Sequence, residues 1–169
     1  MVTTVNYDAD IVAWANEQAW LVRNKKFELL DIQHIAEEIE DVGKSEQREL
    51  ASRMAVLLCH LLKWQYQPAR QGASWQATIA APVPDRLAAY TPSLAIKTQR
   101  NRVKRRLSKA PSLKSCLKDP EWWADAWDDA RDAAEKETGI SFDKFPEQCP
   151  WTAEDILSDH WFPRLFEEN

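Results

Sequence analysis

The sequence predicts an all-α fold: a compact multi-helix bundle with one long central helix or helix pair and short peripheral helices. Three observations carry that prediction. Apolar residues return at spacings of three and four through most of the 169-residue chain, the period of helices with one buried face. No segment alternates apolar and polar residues as a half-buried strand does. Glycine is scarce and proline common, three against nine, and the prolines stand where helices start and stop.

The first helix is expected to start near Asn6 or Asp8, either of which can cap its free amides, and to run to about Asn24. Its inward stripe is Ile11, Trp14, Gln18 and Leu21, with Gln18 the one polar member. Asp31 caps a second helix. There Ile32, Ile35, Ile39 and Val42 continue into Leu50, Met54, Leu57, Leu61 and Trp64, a face that should be buried throughout. Gly43 permits either a kink or a short break, and Pro68 stops the run. A short segment opens at Ser74, and residues 80–91 read as a loop. Thr91-Pro92 starts a basic helix reaching about Lys109, with Ile96, Val103, Leu107 and Ala110 on one side. Asp119-Pro120-Glu121 starts the next, which carries Trp123, Trp127, Ala130 and Ala134 and closes at Gly139. Thr152 with Asp155 approximates a capping box for a last short helix.

A chain of this length buries one core, so residues 1–169 read as a single helical domain. The formal charge of −5 conceals a segregation. From Asp85 to Lys118 ten basic residues face Asp85 alone, a block of +9. From Asp119 to Asn169 four basic residues face fifteen acidic ones, a block of −11. Two oppositely charged helices neutralising each other explain this pattern, and so does a basic surface for an acidic partner. Cys59, Cys116 and Cys149 are too few and too widely spaced for a disulfide framework or a zinc pattern, which points to a reducing cytoplasm. The opening MVTTVNYDADIV has no basic start or apolar stretch, so no signal peptide is expected. The longest apolar run, Met54 to Leu62, contains His60 and is far too short for a membrane span.

Three groups of residues could carry chemistry. His34, Glu38, Asp41, Ser45 and Arg48 share one helix face, and Asp31 stands one turn before His34. An imidazole and two carboxylates there could act as a base or hold a divalent metal, with His60 a further candidate inside the apolar run. A di-iron bundle needs a second Glu-x-x-His, and neither His60 nor His160 has one. No metal and no cofactor is assigned. The basic helix offers Lys97, Arg100, Lys104 and Arg105 to phosphates, without any recognisable nucleic-acid reader. Adjacent Trp122 and Trp123 cannot both face one core, so Trp122, Trp75 and Trp161 are candidates for an interaction surface. A phosphate loop, a dinucleotide fingerprint and a nucleophile elbow are all missing.

Several strings together resemble bacterial domain-of-unknown-function family 29. They are YDADIVAWANEQAWLVRNKKFELLD (Tyr7 to Asp31), EEIEDVGKSEQRELASR (Glu37 to Arg53), HLLKWQYQP (His60 to Pro68), ARDAAEKETGI (Ala130 to Ile140) and FPEQCPW (Phe145 to Trp151). The sequence departs from that pattern between Thr78-Ile79 and Gln99-Arg100, where a proline-containing stretch at about 80–92 reads as an insertion. The resemblance implies a small all-helical bacterial protein and brings no catalytic residues with it.

The leading functional expectation is a non-enzymatic module that binds a protein partner. One alternative is a nucleic-acid-associated protein using the basic helix, and another is a metal-dependent enzyme on the His34, Glu38 and Asp41 face.

Overall fold

The computed structural model describes residues 5–67 and 92–165, which contain helices, turns and connecting chain and, among the described residues, no strand. In order these are α1 (Ile11–Arg23), α2 (Ile32–Tyr66), α3 (Pro92–Lys109), α4 (Pro120–Thr138) and α5 (Ala153–Leu157). Short 3-10 segments lie at Phe27–Leu29, Pro111–Lys118 and Phe142–Lys144. Trp75, the segment from Ser74 and residues 80–91 of the expected insertion lie outside the described residues. The chain divides into two compact units, residues 1–45 and 46–169. Among the described residues no helix is long and apolar enough to cross a membrane.

In the first unit, α1 begins later than its sequence predicts. Asn6 closes a turn of its own, its Oδ1 accepting the Asp8 amide at 3.0 Å and its carbonyl accepting Ala9 and Asp10. Asp10 is the true cap, and its Oδ1 accepts the Ala13 amide at 2.9 Å. The inward stripe keeps Trp14, Gln18 and Leu21 buried, whereas Ile11 stays exposed. At the other end Lys25 takes a left-handed φ of 57°, and its neighbour Lys26 donates its amide back to the Leu21 carbonyl.

The choice between one long helix and a helix pair falls to one. α2 runs 35 residues through Gly43, about 52 Å at the usual rise. A Cβ at Gly43 would meet nothing within 4 Å, so glycine here relieves no crowding. The expectation that the whole apolar face is buried is corrected. Leu50, Met54, Leu57 and Leu61 are fully enclosed, but Ile32, Ile39 and Val42 are 63%, 67% and 66% exposed. Periodicity establishes that a face is apolar and says nothing about what covers it.

The second unit holds a continuous core. Leu50 to Leu62 of α2 meet Ile96, Val103 and Leu107 of α3, Trp127, Ala130 and Ala134 of α4, then Phe145 and Ile156. Each large side chain so enclosed contributes about 1.5–3 kcal/mol by leaving water. Pro111 ends α3 as expected, and the chain then winds as a 3-10 segment that the sequence reading did not foresee. Leu113 and Cys116 lie inward from it, three residues apart as that tighter helix requires. Asp119 caps α4 by accepting the Glu121 and Trp122 amides, and Thr152 caps α5 by accepting the Asp155 amide.

Gly139 terminates α4 at φ 74°, a conformation that costs any residue with a Cβ. Gly139→Ala should therefore lower stability by about 1 kcal/mol, read as a shifted urea midpoint with an unchanged slope. An unshifted midpoint would mean that the turn does not constrain the helix end.

Direct neutralisation between the charged blocks is sparse. Among the described residues one ion pair, Lys104–Asp159 at 2.7 Å, joins them. Arg106 turns instead to Glu46 of α2 at 2.9 Å.

Candidate functional site

In the first unit the Asp31 cap becomes the centre of a hydrogen-bonded corner. Its Oδ1 accepts the His34 amide at 3.3 Å, and its Oδ2 lies 2.6 Å from His34 Nδ1. Trp14 Nε1 donates to the same Oδ2 at 3.2 Å, and the Asp31 amide donates to Gln18 Oε1 at 3.0 Å. Gln18 is thus buried because it receives a backbone donor, which accounts for a polar residue on an apolar stripe. Tyr7 stacks on the His34 ring at 4.2 Å and 17°, and its hydroxyl donates to Glu38 Oε1 at 2.5 Å. Trp14 meets the Tyr7 ring edge-on at 4.9 Å. A cavity of about 380 Å³ opens beside Tyr7, Gln18, Asp31 and His34.

The electrostatics follow from these bonds. The hydrogen bond to Asp31 raises the His34 pKa above its ordinary 6.5, and the same bond holds Asp31 below 3.8. The carboxylate of Glu38 pushes the Tyr7 hydroxyl up to about 12. Asp31 accepts at Nδ1, so neutral His34 keeps its proton there and presents Nε2 as the basic nitrogen. The corner can hold or take up a proton at Nε2. It also fixes the start of α2, because the Asp31 carboxylate holds both the amide and the imidazole of His34.

His34 holds its proton more tightly in the folded chain than in the unfolded one. Its contribution to stability is complete below about pH 6.5 and is lost as pH rises through the raised folded value. Asp31 contributes above about pH 3.8, and that share is lost as pH falls through its lowered folded value. The corner is firmest between these limits. Melting temperature should decline from pH 6 to pH 9 in the native protein and decline less in His34→Gln. Parallel curves would show that the His34–Asp31 bond is not linked to folding.

The other predicted residues separate. Glu38 reaches the corner only through Tyr7, and Asp41 bonds Lys44 at 3.0 Å on the exposed side of α2. His60 lies in the second unit, where burial pulls its pKa below 6.5 with Lys63 and Glu137 as charged neighbours. Among the described residues no three His, Cys, Asp or Glu side chains gather as a metal site requires. Tyr7 and Trp14 are the members of the corner that the sequence reading missed. The only sequence signal was Asp31 one turn before His34.

The basic helix splits by face. Arg100 is fully buried, its Nε donating to the Ile156 carbonyl at 2.8 Å and a terminal nitrogen donating to the Trp161 carbonyl at 2.5 Å. Its guanidinium lies 5.1 Å from the Phe162 ring. Lys104 is engaged with Asp159, whereas Lys97 and Arg105 are exposed. Trp122 and Trp123 meet edge-on at 5.5 Å, and both are partly buried. Trp122 Nε1 donates to the Gln47 carbonyl at 3.3 Å, while Trp123 Nε1 donates to Leu117 at 2.8 Å. Trp161 packs on Trp151 at 5.8 Å. A groove of about 690 Å³ runs past Trp123, Trp127, Arg131, Cys149 and Trp151. Burial raises the Cys149 thiol to about 11, so it stays protonated and unreactive there.

No curated protein and no solved structure matches the chain. A family model described as domain of unknown function DUF29 matches residues 6–162. That match covers nearly all of both units and the hydrogen-bonded corner, and the chain belongs to the DUF29 family.

Proposed function

We propose that the protein is a helical interaction module whose first unit binds an amphipathic helix of a protein partner. One observation carries this reading. Of the twelve large apolar side chains exposed among the described residues, nine fall between Ile11 and Val42. On α2 the exposed Ile32, Ile39 and Val42 join half-buried Ile35 in the 3-4-3 spacing of a coiled-coil seam. Exposed Ile32, Ile39 and Val42 leave that seam open to solvent, the condition of a docking face.

Charge defines the partner. From Asp31 to Ser45 the helix carries Asp31, Glu37, Glu38, Glu40 and Asp41 against Lys44 alone. A complementary helix would have its own apolar seam, flanked by Lys or Arg that meet these carboxylates. The compartment that goes with this reading is a bacterial cytoplasm, supported by three free thiols and the bacterial character of the resembled strings.

Affinity purification from the host should compare the native protein with an Ile32→Ser/Ile39→Ser/Val42→Ser variant. A stoichiometric partner recovered with the first and lost with the second, at equal melting temperature, supports the reading. The partner's contact segment should be a basic amphipathic helix. Recovery that the three changes do not alter sinks it. So does a concentration-dependent homodimer broken by the same changes, because the seam would then belong to a second copy.

A further inference from the structure

The second unit contains a concentration of positive charge that its own carboxylates answer only in part. Arg53 from α2 and Arg102, Arg105, Arg106 and Lys109 from α3 line one open cavity of about 500 Å³. Among the described residues the lining is cationic throughout. Two of them have acidic partners: Arg53 with Glu49 at 2.6 Å and Arg106 with Glu46 at 2.9 Å. Arg102, Arg105 and Lys109 form no ion pair among the described residues, and all three are exposed. Among the described residues Arg106 Nε is enclosed without a hydrogen-bond partner, although its terminal nitrogen is used by Glu46.

Why five like charges converge is a question of what relieves their repulsion. A monovalent ion relieves little of it, and a ligand with several adjacent negative oxygens relieves much more. Guanidinium forks match phosphate oxygens two at a time, and four of the five groups are arginines. Among the described residues no aromatic ring lines the cavity to offer a nucleobase a stacking platform. From Arg102 to Lys109 the helix rises about 10 Å, room for two or three linked phosphates but not for an extended strand.

We propose that Arg53, Arg102, Arg105, Arg106 and Lys109 form a binding site for a compact oligophosphate, two or three phosphates joined to one another. Of Lys97, Arg100, Lys104 and Arg105, the residues expected to meet phosphates, Arg105 lines this cavity, whereas Arg100 is sealed in the core and Lys104 is held by Asp159. The cavity is independent of the first unit's apolar seam, so either site can fail without the other.

Calorimetric titration of the full chain with inorganic tripolyphosphate, at about 150 mM salt, tests this. Saturable one-to-one binding is expected, with orthophosphate at least about tenfold weaker. Arg102→Gln/Arg105→Gln should bind about a hundredfold more weakly, the loss that follows from removing two charge-assisted hydrogen bonds. Both changes are on the surface, so the melting temperature should hold, and Lys97→Gln should bind like the native protein. A nucleoside triphosphate that binds as tightly as tripolyphosphate marks the phosphates as the recognised part. No saturable binding, or equal binding by native and double-variant proteins, overturns the proposal. A single-stranded oligonucleotide that binds more tightly than tripolyphosphate also overturns it, because the face would then follow a strand.

Discussion

Arg100→Ala should destabilise the second unit by about 4 kcal/mol or more, the largest effect expected from any charged residue among the described ones. The side chain is 0% exposed and fills core volume beside Ile96 and Val103. Its removal leaves a cavity and strips the Ile156 and Trp161 carbonyls of their donors. A large-to-small core change costs about 2–5 kcal/mol, and each enclosed carbonyl left unpaired adds about 1–3 kcal/mol where water cannot reach it. Arg100→Lys keeps the charge but lacks the planar fork that spans two carbonyls, so an intermediate loss is expected. Urea denaturation of the three proteins is the measurement. A loss below about 1 kcal/mol for Arg100→Ala would show that the guanidinium does not anchor the segment after α5.

Trp127→Ala is expected to cost about 3–5 kcal/mol and to leave a loosened groove. Trp127 is 1% exposed and stands edge-on to Trp151 at 5.5 Å. Its Nε1 also donates to the Pro146 carbonyl at 2.9 Å, tying the chain after α4 to that helix. Trp127→Phe separates the two contributions. It keeps a buried ring while removing the donor and part of the indole volume, so about 1–3 kcal/mol should be lost. If phenylalanine proves as damaging as alanine, the hydrogen bond rather than the buried ring holds this region together. Near-ultraviolet circular dichroism should report the altered Trp151 environment in both variants.

The helical fold was legible because most of its signals are local. Asp119 followed by Pro120, Gly139 after α4 and Thr152 before α5 each do in the structure what their chemistry predicts. Where two caps compete nearby, the sequence is ambiguous: Asn6 closes its own turn, so α1 waits for Asp10. The core position of Arg100 was also written in the spacing. It falls between Ile96 and Val103 on the stripe that ends at Leu107. A charge at such a position reads as surface unless its partners are known, and those partners are backbone carbonyls 56 and 61 residues away.

The corner around His34 was legible only in part, for a similar reason. Asp31 and His34 lie one turn apart, so the sequence holds their relation. Tyr7 and Trp14 reach them from 27 and 17 residues upstream, through the turn after Asn6 and the packing of α1. The exposure of Ile32, Ile39 and Val42 was not legible at all. An apolar stripe looks the same in sequence whether its own chain covers it or another must.

The bonds of Arg100 have one more consequence. Both of its acceptors are main-chain oxygens, at Ile156 and Trp161, so the anchor reads the path of the segment rather than its side chains. The residues between them, Leu157 to His160, are therefore open to substitution as far as this anchor is concerned. Among related chains the arginine would be the fixed point, and the freedom to drift would fall to Ser158 and His160, since Leu157 packs on the core and Asp159 is held by Lys104. A comparison of aligned letters would then rate as dispensable a stretch whose position is held from the middle of the core.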